Sequence, residues 1–145
     1  MKSEPSVYSI HNLQQQQQTI WDGVRNYQAR NFLKQMQVGD LAFFYHSNAK
    51  PPGVFGLMKI IEANIPDPTQ FDPDSEYFDP KSTLESPRWQ TVKVEFIEAF
   101  NCPILLSTLK EKFSSDEFLL VKKGNRLSVI PVIESVAKNI LNMKN

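Results

Sequence analysis

The chain is short of the residue types that staple, chelate or anchor a protein. It has one cysteine, Cys102, so no disulfide closes within it. With only His11 and His46 beside that thiol, a four-ligand Cys/His zinc site is excluded, and no metal or other cofactor is expected. Five glycines leave no G-x-G-x-x-G, no G-x-x-x-x-G-K-[ST] and no G-x-S-x-G, which removes the usual phosphate cradles and the nucleophile elbow. No apolar run reaches the roughly 18 residues that a membrane span needs. Met1-Lys2-Ser3-Glu4-Pro5 lacks a signal-peptide core, so an intracellular, cytoplasmic setting is the expectation. Net charge is missing too, with 16 basic residues against 16 acidic ones. A chain held to nucleic acid by phosphate contacts alone would be far more basic.

What is present is one domain's worth of ordinary globular sequence, residues 1–145, with 41% apolar and 22% charged residues. The neutral total hides an uneven distribution. Residues 61–80 hold six acids (Glu62, Asp67, Asp72, Asp74, Glu76, Asp79) and no base, so the remainder is mildly basic. Local field rather than net charge steers a phosphate, so a modest basic face is compatible with these numbers.

Ser9 predicts an N-cap for a helix over about residues 10–17. Ala29, Phe32, Leu33 and Met36 form the buried stripe of a second helix, about residues 26–36, with Tyr27, Arg30, Asn31 and Lys34 on its other face. Leu41–His46 reads as a buried aromatic strand, followed by strands over about 54–61 and 89–99. Ser107 is placed to cap a short helix through Lys112, and a further helical turn follows Ser115. Leu127–Val132 reads as a short strand. Residues 133–141 read as a closing helix, with Ile133, Val136, Ala137 and Ile140 inward. Residues 64–88, carrying five prolines, form a loop too long for a compact domain unless it has a function. Strands flanked by helices without strict βα alternation indicate an α+β fold.

Catalytic signals are weak. His46-Ser47 is a lone pair without a readable carboxylate or oxyanion site. Asp72-Pro73-Asp74-Ser75-Glu76 lacks the glycine of a calcium loop and has proline where that loop must bend, which leaves a solvated acidic loop. The positive signal is a set of aromatic and amide side chains at turns: Trp21 before Asp22-Gly23, Asn26-Tyr27, Tyr45-His46-Ser47-Asn48, and Trp89 after Pro87-Arg88. Each tryptophan alone is more often a core plug. Together these residues offer flat faces with polar partners, as a planar base requires. Stacking contributes about 1–3 kcal/mol per base, and Lys2, Arg25, Arg30 and Arg126 are candidates for the flanking phosphates.

The segments Met1–Pro5, Tyr8–Ile10, Trp21–Phe32, Val38–Asp40, Tyr45–Asn48, Pro66–Pro68, Pro87–Trp89 and Arg126–Val132 resemble, in order, the EVE domain family. The resemblance implies a PUA-like fold, a small mixed β-barrel with flanking helices, related to YTH domains in which a tryptophan cage holds a modified base. It further implies a non-enzymatic reader of nucleic acid carrying a modified base, modified cytosine in DNA or modified RNA. Carried over by position, the pocket comprises Lys2, Ser3, Glu4, Trp21, Asn26, Tyr27, His46, Ser47, Asn48, Trp89, Arg126 and Ser128, with Trp21 first choice for the stacking ring and Arg25 and Arg30 for phosphates. Family members carry apolar and aromatic residues before the Lys-Ser-Glu-Pro segment, and the chain here starts inside that strand. Two competing readings stand beside this one. One is an enzyme on a nucleotide or modified nucleic acid, with His46 as acid/base and Glu4 or Asp22 as its partner. The other is a protein-interaction role for the acidic 62–79 segment.

Overall fold

The computed structural model describes residues 1–144. Its elements in chain order are β1 (Lys2–Ser3), α1 (Ile10–Gln16), β2 (Gln18–Ile20), α2 (Tyr27–Gln35), β3 (Leu41–His46), β4 (Gly53–Pro66), β5 (Gln90–Leu105), α3 (Leu106–Lys112) and α4 (Glu134–Met143). The α+β expectation agrees with this order. The strands form one five-stranded sheet, β1-β3-β4-β5-β2, in which β1 runs parallel to β3 and every other neighbour is antiparallel.

The expected barrel is not closed. The two edge strands have two and three residues and are not hydrogen-bonded to each other, so the sheet ends in open edges. Curvature comes instead from β4 and β5, whose register shifts at four places and coils the long hairpin. The third strand matches its expected bounds, whereas the next two in the chain, β4 and β5, run longer, to Pro66 and Leu105.

Other boundaries move for local reasons. Leu127–Val132 is not a strand: Pro131 has no N–H to offer, and the stretch gives one sheet-like bond, from Lys2 N–H to Ser128 O, 2.8 Å. The short helix before Phe113 starts at Leu106, with Leu105 at its N-cap and no side-chain cap, so Ser107 lies inside it. Ile133 sits at the N-cap of α4 and is exposed, while Val136 and Ile140 are buried as expected. In α2, Ala29 and Leu33 are fully buried, and Phe32 and Met36 pack partly against the core.

The start of α1 is capped within the helix and bonded to the sheet. Ser9 and Asn12 form a reciprocal capping box at its start. The first helical N–H, on Ile10, donates to Nε2 of His46 at 3.1 Å. Behind Ile10 lies Gly56, where an added Cβ would come within 2.5 Å of Ile10 Cδ1 and 2.6 Å of the Glu98 carbonyl. Glycine is therefore required by the close approach of helix and hairpin.

Gly56→Ala should lower unfolding free energy by about 1–3 kcal/mol, the usual cost of forcing atoms into a filled core, and denaturant titration measures it. The His46 contact gives a pH prediction. Burial, reinforced by the nearby His11, lowers the His46 pKa below its ordinary value, and Nε2 accepts a bond only while unprotonated. The unfolded chain thus takes up its proton first, near pH 6.5, and stability falls as pH drops below that point. Chemical denaturation across pH 7 to 5 should show this loss, and His46→Phe should flatten it.

Candidate functional site

A cleft of about 1140 Å³ opens on one face, and five stretches distant in sequence line it. Lys2, Ser3 and Glu4 come from β1 and the turn after it. Ser47 and Asn48 leave the end of β3, the strand beside β1. Gln16, Thr19 and Ile20 come from α1 and β2, followed directly by Trp21–Asn26. Glu76 and Tyr77 come from the long loop, and Arg126 and Ser128 from the segment before α4.

The Trp21 wall is fixed through its backbone. Its N–H donates to Val92 O at 2.9 Å, and its carbonyl accepts from the Thr91 hydroxyl. The ring packs edge-on to Phe44, centroids 5.3 Å apart, and is 6% exposed. Trp21 is thus both core and cleft wall. The chain then turns through Gly23 at φ +85°, where a side chain would strike the Tyr77 ring at 2.8 Å.

The turn is fastened by Asp67, which is 1% exposed. Its carboxylate accepts from Gly23 N–H and Arg25 Nη1, both at 2.9 Å, and from the Thr69 N–H and hydroxyl at 2.8 and 2.6 Å. The remaining donors of Arg25 go to Tyr77 O, Val24 O and the Thr69 hydroxyl. Arg25 therefore lines the cleft without a free hand for phosphate. Arg30 does not line this cleft, and its guanidinium is held by Asn31 Oδ1 and by Arg88 O at 2.8 Å.

Three other expected pocket residues lie elsewhere. Trp89 is buried at 5% exposure, donates its indole N–H to Asp79 at 2.8 Å, and stacks on Tyr27 at 4.9 Å. That bond holds the Asp79 carboxyl below its ordinary range. Tyr27 covers Trp89 from outside and bonds Arg88 through its hydroxyl. His46 stacks on Phe55 at 4.1 Å and has its Nε2 committed to Ile10. It does not line the cleft, and the acid/base reading loses its central group.

The other positions expected at the pocket, namely Lys2, Ser3, Glu4, Trp21, Asn26, Ser47, Asn48, Arg126 and Ser128, do line the cleft. Several have structural duties as well. Asn26 Oδ1 caps α2 through Ala29 N–H, the Ser3 hydroxyl donates to Tyr8 O at 2.7 Å, and Asn48 reaches Glu4 at 3.5 Å. Lys2 and Arg126 make no ion pair or side-chain hydrogen bond among the described residues; the Lys2 ammonium stands 5.9 Å over the Tyr45 ring.

Asp22, in sequence only a candidate partner for His46, faces the cleft beside Trp21. Burial and the neighbouring Asp67 raise its pKa, against the opposing pull of Arg25. Burial also raises Tyr8 and Tyr77 and lowers Lys2. Asp72, Asp74 and Glu76 are exposed, as expected of a solvated acidic loop, whereas Asp67 and Gln70 before them are buried and Tyr77 after them is half-buried. The motif Pro66-Asp67-Pro68 was the one sequence signal of its importance. Among the described residues no three His, Cys, Asp or Glu side chains gather as a metal site, and no helix is long and apolar enough to cross a membrane.

The architecture is shared with solved structures. A protein from Pseudomonas syringae superposes with a TM-score of 0.95 at 46% identity, covering 100% of this chain and 97% of that one. Human THYN1 protein in complex with 5-methylcytosine containing DNA superposes at 0.88 with 40% identity, covering 100% and 95%. In sequence, the rat thymocyte nuclear protein 1 is 48% identical and the human one 39%, each over 99% of this chain and 72% of the relative. The EVE domain family matches residues 1–143, and the chain belongs to that family.

Proposed function

We propose that this protein is a non-enzymatic reader of DNA carrying a modified cytosine, and that the cleft beside Trp21 takes the extruded base. The observation that carries the reading is the convergence at one opening of an aromatic wall, an acceptor and free cations: Trp21, Asp22, Lys2 and Arg126. The human THYN1 protein, solved with 5-methylcytosine containing DNA and 40% identical, supports the same ligand class.

Each group has a separable task. The Trp21 indole offers a face for stacking, and extrusion of a base, which costs a few kcal/mol, is offset by stacking together with contacts to the base edge. The Asp22 carboxylate accepts from the exocyclic amino group, the only donor on cytosine's pairing edge. Lys2 and Arg126 stand at the rim for phosphates. With Nε2 of His46 occupied by a helix N–H, the cleft has no general base of that kind, consistent with binding rather than turnover.

A methyl-sized difference in an apolar site is worth about 1–3 kcal/mol, or roughly 10–200-fold. Fluorescence anisotropy with duplexes containing 5-methylcytosine or cytosine at one position should show a preference of that order, and equal affinities would overturn the reading. Trp21→Leu, which keeps apolar bulk but loses the ring, should weaken binding of the modified duplex by about 1–3 kcal/mol. Asp22→Asn should act in opposite directions on two measurements. The raised pKa means the native state holds this proton more tightly than the unfolded chain does, so the ionised carboxylate is a cost to folding above that pKa. The amide removes the cost and raises Tm, while binding weakens. In the wild type, the same raised pKa makes binding fall on acidification before an ordinary aspartate, near pH 3.9, would titrate.

A further inference from the structure

A second concavity, of about 720 Å³, runs between α3 and the turn at residues 122–125. Lys110, Lys122 and Lys123 line it and no acidic side chain does. Lys2 lines both this groove and the cleft, so the two meet at one ammonium group. The chain leaving the turn continues to Arg126 and Ser128 on the cleft side. Among the described residues none of these five cations forms an ion pair, whereas Arg25, Arg88, Lys93, Lys138 and Lys144 all do.

We propose that this groove is a phosphate track, seating the DNA backbone on one side of the base held in the cleft. It rests on the reading given above and adds to it a site and a ligand chemistry. A phosphate responds to charges within about 10 Å at ordinary ionic strength, and those lining the groove are of one sign. The acids nearest in sequence, Glu111, Asp116 and Glu117, do not line it, and Glu117 is turned to the Ser114 N–H at 3.1 Å. The turn is built in advance. Asn125 donates to Leu119 O at 2.7 Å and accepts from Leu127 N–H at 2.8 Å, which fixes the backbone bearing Lys122 and Lys123. A neutral chain thus carries a local positive path that its charge total conceals.

The test uses the Lys110→Gln/Lys122→Gln/Lys123→Gln variant, whose replaced side chains are exposed, with Lys122→Glu as a second variant and thermal melting as the folding control. Two ligands are titrated: a duplex with one 5-methylcytosine, by anisotropy at several salt concentrations, and 5-methyl-2′-deoxycytidine, which has no phosphate, by NMR. The triple variant should bind the duplex roughly tenfold or more weakly, and its log–log salt slope should be shallower by about 2 to 3. Its preference for the modified duplex and its affinity for the nucleoside should match the wild type. Unchanged duplex affinity and slope in both variants would overturn the track. Loss of nucleoside binding along with duplex binding would also overturn it, by making these lysines part of the cleft. A wild type that shows neither modified-base preference nor nucleoside binding, yet responds to the lysine changes, would overturn the base-reading function instead.

Discussion

Four donors from two chain segments end on one carboxylate, that of Asp67. A buried charge is tolerated only when its lone pairs are met, and removing one partner of such a pair typically costs 3–5 kcal/mol. Here the partners are not interchangeable. Arg25 and Gly23 belong to the stretch that carries Trp21 and Asp22, and Asp67 opens the proline-rich loop. One ion pair at 2.9 Å thus sets the loop against the cleft wall and gives Glu76 and Tyr77 their place on its lining. The same logic repeats at the far end of the loop, where Gln70 bonds the backbone of residues 67, 88 and 89 and Trp89 holds Asp79. A segment of this length stays ordered because its buried polar atoms are paired, not because it is rich in secondary structure.

The arginines illustrate a division of labour between charge that builds and charge that waits. Arg25 and Arg30 sit in the most recognisable sequence block, and both are consumed by carbonyls and carboxamide or carboxylate oxygens within the fold. Lys2 and Arg126, in less conspicuous surroundings, retain their donors. Asp22 has the opposite character to Asp67. Both are acids near Arg25, but burial and then the neighbouring Asp67 work against ionisation of Asp22, so its carboxylate is held where folding alone would not favour it. Placing an under-satisfied acceptor in an opening is the usual way a fold trades stability for recognition.

Local signals were legible where they are written in adjacent residues. The Ser9 cap, the Ala29–Leu33 stripe and the aromatic run Leu41–His46 appear at or close to their expected limits, because caps, periodicity and strand propensity act within a few residues. Elements that exist only through distant partners were not legible: β2 is three residues held by Glu95, Val94 and Lys93 of β5, and nothing in Gln18-Thr19-Ile20 announces it. Residues 127–132 show the reverse, an apolar strand-like run that finds no ladder.

The amino-acid order alone determined the α+β class, the family and the group of residues within which a site would be found, since composition, periodicity and motif spacing are properties of the chain itself. It did not separate the two tryptophans, the three candidate arginines (Arg25, Arg30 and Arg126) or the buried histidine into builders and wall. That sorting depends on which donors are already taken and which faces remain open, and both are settled only when segments tens of residues apart are brought within 3 Å of each other. Trp21 lines a cleft and Trp89 fills a gap, although each stands at the same kind of turn.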